Sequence, residues 1–158
     1  MITLIDTALL DSVSAQARTN SRKRQNRNFH LADDDACHRL LNAIEPGSYV
    51  VPHRHLAPNK DETFLVLRGR LALVTFTDDG EPLDGVLLGP GTTRVGAEVA
   101  HGTWHTVFAV EQGTVFFEAK AGPYLPLTEA ERAPWAPAEG APDAANYLDR
   151  LLRHIGRD

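Results

Sequence analysis

Between residues 37 and 120 the chain runs as short segments rich in Val, Leu, Phe and Thr, with no room for a helix between them. The segments fall near 38–45, 48–55, 62–68, 70–77, 83–88, 93–99, 103–110 and 114–120. They are parted by EPG, RG, DDGE, GPG and EQG, sequences that close tight turns through glycine, proline and acidic residues. Eight short strands without intervening helices make an antiparallel sandwich or barrel, because a parallel sheet would need a crossover between strands. The class is all-β.

The flanks differ. Residues 6–18 predict a short amphipathic helix, with Asp6 able to cap it and Leu9, Leu10, Val13 and Ala17 on one face. The basic, polar stretch RTNSRKRQNRN follows. After the strands, ERAPWAPAEGAP reads as an extended linker. Asp143 then opens a second helix with a stripe of Ala144, Tyr147, Leu148, Leu151, Leu152 and Ile155, ending at Gly156. The expected organisation is therefore 1–36, helix and basic connector; 37–126, barrel; 127–158, Pro/Ala-rich linker and helix. Either the barrel's flank or a partner subunit can cover the second stripe.

Composition excludes several functions. A net charge of −5 argues against a nucleic-acid binder. The single Cys37 cannot make an intramolecular disulfide. MITLIDTALLDSV is acidic and lacks a long apolar run, unlike a signal peptide, and no window has the ~18–20 apolar residues of a membrane span. The expectation is a cytoplasmic protein with no membrane or nucleic-acid partner.

The chemistry concentrates in GSYVVPHRHLAPNKDETFLVLRG, residues 47–69. Side chains two apart on a strand share a face, so His53 and His55 project together and can tilt toward one ion. Glu62 opens the next strand and can return a carboxylate to the same place. In AHGTWHTVF, His105 shares a face with Val107 and Ala109 and can supply a third imidazole. Three nitrogens and one carboxylate suit one divalent ion of Fe, Mn, Ni or Zn, with positions left open.

These motifs resemble the two cupin motifs. Gly47, His53, His55, Glu62 and Gly69 fall on the first, with six residues between His55 and Glu62 where three or four are usual. Gly102 and His105 fall on the second, with Ala100 and Ala109 in place of its proline and asparagine. The stretch from about 22 to 126, with RKRQNRNFH, KDETFLVLRGRLAL, LGPGT, GTWHTV and GTVFFEAKAGPY, resembles the WbuC-type cupin-fold metalloproteins. That resemblance implies a cupin, a double-stranded β-helix or jelly-roll barrel, that binds metal. It also implies a link to surface-polysaccharide (O-antigen) biosynthesis and a homodimer.

Strand parity extends the site. Tyr49 and Val51 would share the face of His53 and His55, and Phe64, Val66 and Arg68 would follow Glu62 inward. Glu118 is a candidate internal acid or base, or else a surface carboxylate. Tyr49, Glu118 and His101 are the candidates for proton transfer, although an exposed loop histidine is the simpler reading of His101. Arg24, Arg27 and Arg68 are the candidate contacts for an anionic ligand. The leading expectation is a metalloenzyme, isomerase, epimerase or dioxygenase, acting on a small sugar-like or acidic metabolite. The alternatives are a protein that binds such a ligand without turnover, and a metal-free barrel.

Overall fold

The computed structural model describes residues 2–155. Helix α1 (Thr7–Thr19) precedes eight strands: β1 (Arg24–Asn28), β2 (Cys37–Ile44), β3 (Glu62–Arg68), β4 (Leu71–Phe76), β5 (Pro82–Leu88), β6 (Gly96–Val99), β7 (Trp104–Ala109) and β8 (Thr114–Ala121). A 3₁₀ turn at Glu129–Glu131 and helix α2 (Ala144–His154) complete the order. One sheet runs β1-β2-β8-β3-β6 and the other β5-β4-β7, with every pairing antiparallel. This is a jelly roll with two short helices.

The layers follow from side-chain alternation. Ile44, Phe64, Val66 and Phe116 of the larger sheet meet Leu71, Leu73, Val107 and Ala109 of the smaller one, forming the core between the sheets. Helix α1 lays Leu10, Val13 and Ala17 on Leu41, Ala43 and Val115, the outer face of the larger sheet. Its start is capped as expected, with Asp6 Oδ1 accepting from Leu9 N at 3.0 Å. Helix α2 covers the other side, where Tyr147, Leu148 and Leu151 pack on Ala72, Val74, Phe76 and Phe108. The second stripe is therefore covered by the chain's own barrel except at Leu152, which stays exposed. Asp143 sits at the start of α2 without a side-chain cap. The expected stop at Gly156 lies outside the described residues.

Two expectations about strands need correction. The connector reads as unstructured in the sequence, but Arg24–Asn28 forms the edge strand β1 beside β2. It has no apolar signal because its pairing is entirely through the backbone. Conversely, 48–55 is not a strand: only His53 makes isolated bridges there, to His105 and Arg132. Pro52 interrupts the segment and cannot donate to a ladder.

The β3–β4 turn is closed by Gly69 at φ +78°, with Thr114 so close that no Cβ would fit. A bulge between Val66 and Arg68 precedes this turn. Among the described residues no helix is long and apolar enough to cross a membrane.

Candidate metal centre and polar cavity

Each candidate ligand is delivered by a different local device. His53 is fixed by reciprocal backbone bonds with His105, His53 N to His105 O at 3.0 Å and His105 N to His53 O at 2.9 Å. This brings the two rings to 4.6 Å between centroids. His53 Nδ1 lies 3.0 Å from Val51 O, and His105 Nδ1 lies 2.9 Å from Thr103 O. A donating Nδ1–H in each ring leaves Nε2 with its lone pair turned to the cavity, the usual orientation of a metal-ligating imidazole.

Glu62 starts β3 and is almost fully buried. The long loop before it is anchored at several points. Leu56 N donates to Glu131 Oε1 at 2.9 Å, Lys60 Nζ donates to the carbonyls of Ala121 and Pro123, and Asp61 accepts from His101 N at 2.7 Å. The two or three extra residues are thus absorbed without displacing Glu62.

His53, His55 and Glu62 offer ligand atoms that all lie within 4.8 Å of one another, a group that could hold a metal ion. His105 Nε2 stands 3.0 Å from Glu62 Oε2, and His55 Nε2 stands 3.3 Å from Glu62 Oε1. Yet His55 Nε2 and Glu62 Oε2 are buried without a properly aligned hydrogen bond. Buried polar atoms left in this state are costly. Neutral imidazole and carboxylate are also the donors a borderline divalent ion prefers. The residues present therefore fit a metal ion.

The electrostatics agree. Burial and neighbouring His105 push His53 down from 6.5 to about 3, so it stays neutral and able to donate a lone pair. Burial alone would raise Glu62, but the Lys120 ammonium at 2.9 Å opposes it, and the carboxylate is held ionised, below its ordinary range.

The donor cluster opens on a cavity of about 200 Å³. Its apolar wall includes Ile44, Val50, Val107 and Phe116, and its polar wall Arg24, Asn26, Asn42, Glu118 and Lys120. Glu118 is buried and accepts from Asn42 Nδ2 at 2.7 Å. Lys120 Nζ bridges Glu118 Oε1 at 2.7 Å and Glu62 Oε1 at 2.9 Å. Burial would lower the Lys120 pKa, but Glu118 and Glu62 reverse that and keep it charged.

The remaining candidates separate clearly. Arg24 lines the cavity, where its guanidinium donates to Tyr49 O at 3.2 Å and pairs with Glu139 at 2.7 Å. Arg27 is one residue out of phase with Arg24 and Asn26 and sits exposed on the other face of β1. Arg68 is far from the cavity: the bulge turns it outward, and it binds Asp11, Ser14 and the Leu10 carbonyl of α1. Tyr49 packs on Tyr147 of α2, and its hydroxyl donates to Pro137 O at 2.9 Å. The irregular backbone before His53 broke the parity that would have turned Tyr49 inward. His101 is exposed, with Nδ1 2.7 Å from Asp61 Oδ1, at the rim rather than in the cavity.

Lys120 and Asn42 are site residues that sequence reasoning missed. Lys120 shares the face of Glu118 on β8, but its pairing with Glu62 shows only in the register of β8 with β3.

Fold and donor set together define the class, a cupin-type jelly roll able to hold a metal ion. Residues 5–88, more than half of the chain, match the family described as Domain of unknown function (DUF6016), and the chain belongs to that family. No curated protein sequence matches it. Among solved structures, protein SO0799 from Shewanella oneidensis is similar at TM-score 0.52 and 13% identity, covering 84% of this chain and 85% of that one. Oxalate oxidase in complex with the substrate analogue glycolate is similar at TM-score 0.50 and 16% identity, covering 67% of this chain and 55% of that one. KdgF from Halomonas sp. is similar at TM-score 0.48 and 19% identity, covering 68% and 85%. At these identities the likeness to the first two establishes the fold alone.

Proposed function

We propose that the chain is a metal-dependent cupin enzyme that moves a proton on a small, acidic, sugar-like metabolite. The observation that carries this reading is the adjacency of two kinds of chemistry. A donor cluster with unsatisfied buried atoms lies beside an acid–base pair, Glu118 and Lys120, in one small cavity.

His53, His55, Glu62 and His105 would hold the ion, which when bound supplies Lewis-acid polarisation of a substrate oxygen. Glu118 would take a proton from a hydroxyl-bearing carbon next to a carbonyl and return it to the former carbonyl carbon, the hydroxyl proton passing to the carbonyl oxygen. Asn42 and Lys120 hold that carboxylate in place. Lys120 and Arg24 put positive charge on the wall facing an acidic group. The apolar wall of Val50, Val107 and Phe116 excludes water from the ligand's other face.

A volume of about 200 Å³ is room for roughly seven waters, which suits a single small metabolite. The likeness of KDETFLVLRGRLAL and GTWHTV to WbuC-type cupins supports a cytoplasmic role in surface-polysaccharide biosynthesis. A second reading, binding without turnover, is favoured by one feature: both oxygens of Glu118 already accept hydrogen bonds inside the protein.

Mass-spectrometric screening of acidic sugars and keto acids separates the two readings. Turnover by the metal-loaded chain, abolished in Glu118→Gln with metal content and ligand binding retained, supports the enzyme. Binding without turnover by the parent chain overturns it in favour of the binder.

A further inference from the structure

The cavity at the donor cluster is one part of a longer surface. Alternation places Arg24, Asn26 and Asn28 of β1 on the same sheet face as His38, Leu40 and Asn42 of β2. Glu118 and Lys120 of β8 and Glu62 of β3 continue that face. The register forms a row across three strands, His38 beside Lys120 and Lys120 beside Glu62. At the usual spacing between strands, His38 stands roughly 10 Å from Glu62.

Beyond Lys120 the same face opens into a second cleft, of about 280 Å³, lined by Asn28, His30, His38 and Tyr124. Asn26 and Lys120 line both spaces, so the two adjoin at these residues. The cleft has a distinct chemistry. His30 and His38 stack face to face, with centroids 4.0 Å apart and planes 15° apart. His38 Nε2 is fixed 3.1 Å from Asp33 O, and His30 Nδ1 is held against the Arg39 backbone. Both rings are buried, at 8% and 4% exposure, so the pair is a rigid polar back wall of the cleft. Tyr124 leaves 57% of its surface exposed at the rim, and Asn28 offers an amide beside it.

An exposed phenol beside amide and imidazole groups recognises a sugar ring, one apolar face against the aromatic and hydroxyls against the polar groups. Among the described residues no arginine lines this cleft and Asp33 does, so a phosphate or nucleotide would lack its usual clamp and meet a carboxylate.

We propose that His30, His38, Asn28 and Tyr124 form an outer subsite for a neutral sugar residue, so that the ligand is an acidic sugar joined to a second ring. The acidic unit occupies the metal-bearing cavity and the second ring lies beyond Lys120 against Tyr124, with the histidine pair behind it. This inference rests on the acidic-sugar reading of the inner cavity given above. It extends that reading from a single small metabolite to a two-ring ligand.

The test is calorimetric titration of the metal-loaded full chain with two probes: D-glucuronate, and an aldobiouronic acid carrying glucuronate joined to one hexose. The disaccharide is expected to bind at least about tenfold more tightly. In Asn28→Ala/Tyr124→Ala that advantage disappears, while glucuronate affinity, metal content and melting temperature stay unchanged. Both residues are exposed, so the fold does not depend on them. Equal affinity for the two probes in the parent chain overturns the outer subsite and leaves the inner reading standing. An advantage that persists in the double variant likewise overturns the outer subsite. Binding of neither probe by a chain that retains its metal overturns the acidic-sugar reading, and the subsite with it.

Discussion

Lys120 and Glu62 are register partners on β8 and β3, and their side chains meet at 2.9 Å. The same ammonium reaches Glu118 at 2.7 Å. One cation thus joins a carboxylate of the donor cluster to Glu118, the carboxylate proposed above for proton transfer.

Removing that cation leaves two buried carboxylates facing each other. Lys120→Met is expected to lose about 3–5 kcal/mol of stability, the range for a broken buried ion pair. Adding metal should recover more stability in Lys120→Met than in the parent chain, because the ion neutralises Glu62. Urea unfolding with and without metal measures both. A metal effect equal in the two proteins would show that Lys120 and the ion do not share Glu62.

His53 predicts a pH dependence for the metal-free protein. Its folded pKa is depressed to about 3 from 6.5, so the unfolded chain takes up the proton first as pH falls. The stabilising effect is complete above pH 6.5 and is lost on acidification through the window down to about 3. Glu62, also depressed, adds its own loss only below the ordinary glutamate range. Between pH 6.5 and 4.5 the expected slope approaches about 1.4 kcal/mol per pH unit for one proton. Chemical denaturation across that window should show this slope in the parent chain and a flatter profile in His53→Asn.

Tyr49 belongs to the packing of α2, not to the cavity. Tyr49→Phe removes the bond to Pro137 O and is expected to cost about 1 kcal/mol, with metal content and ligand binding unchanged. A large loss of ligand affinity without loss of stability would return Tyr49 to the site.

The sequence was most readable where signals are local and repeated. On β7, His105 alternates with Val107 and Ala109, and all three face inward; Glu62 opens β3 where the alternation of Phe64 and Val66 required. Parity failed wherever the ladder is interrupted. Before His53 the chain is irregular, so Tyr49 turned outward, and the bulge after Val66 carried Arg68 to α1. Strand β1 was hidden because RQNRN has no apolar face to announce it. Lys120 was hidden for a different reason: a lysine near a strand end reads as solvated, and only the register with Glu62 shows the pair of carboxylates that holds it inside.

The central claim is that His53, His55, Glu62 and His105 hold one ion. Elemental analysis of protein purified without a histidine tag tests it most directly, comparing the parent chain with His53→Ala/His55→Ala. Stoichiometric divalent metal is expected in the parent chain, and its loss in a double variant that remains folded. A metal content unchanged by the double substitution, or a parent chain that takes up no divalent ion when one is supplied, would contradict it.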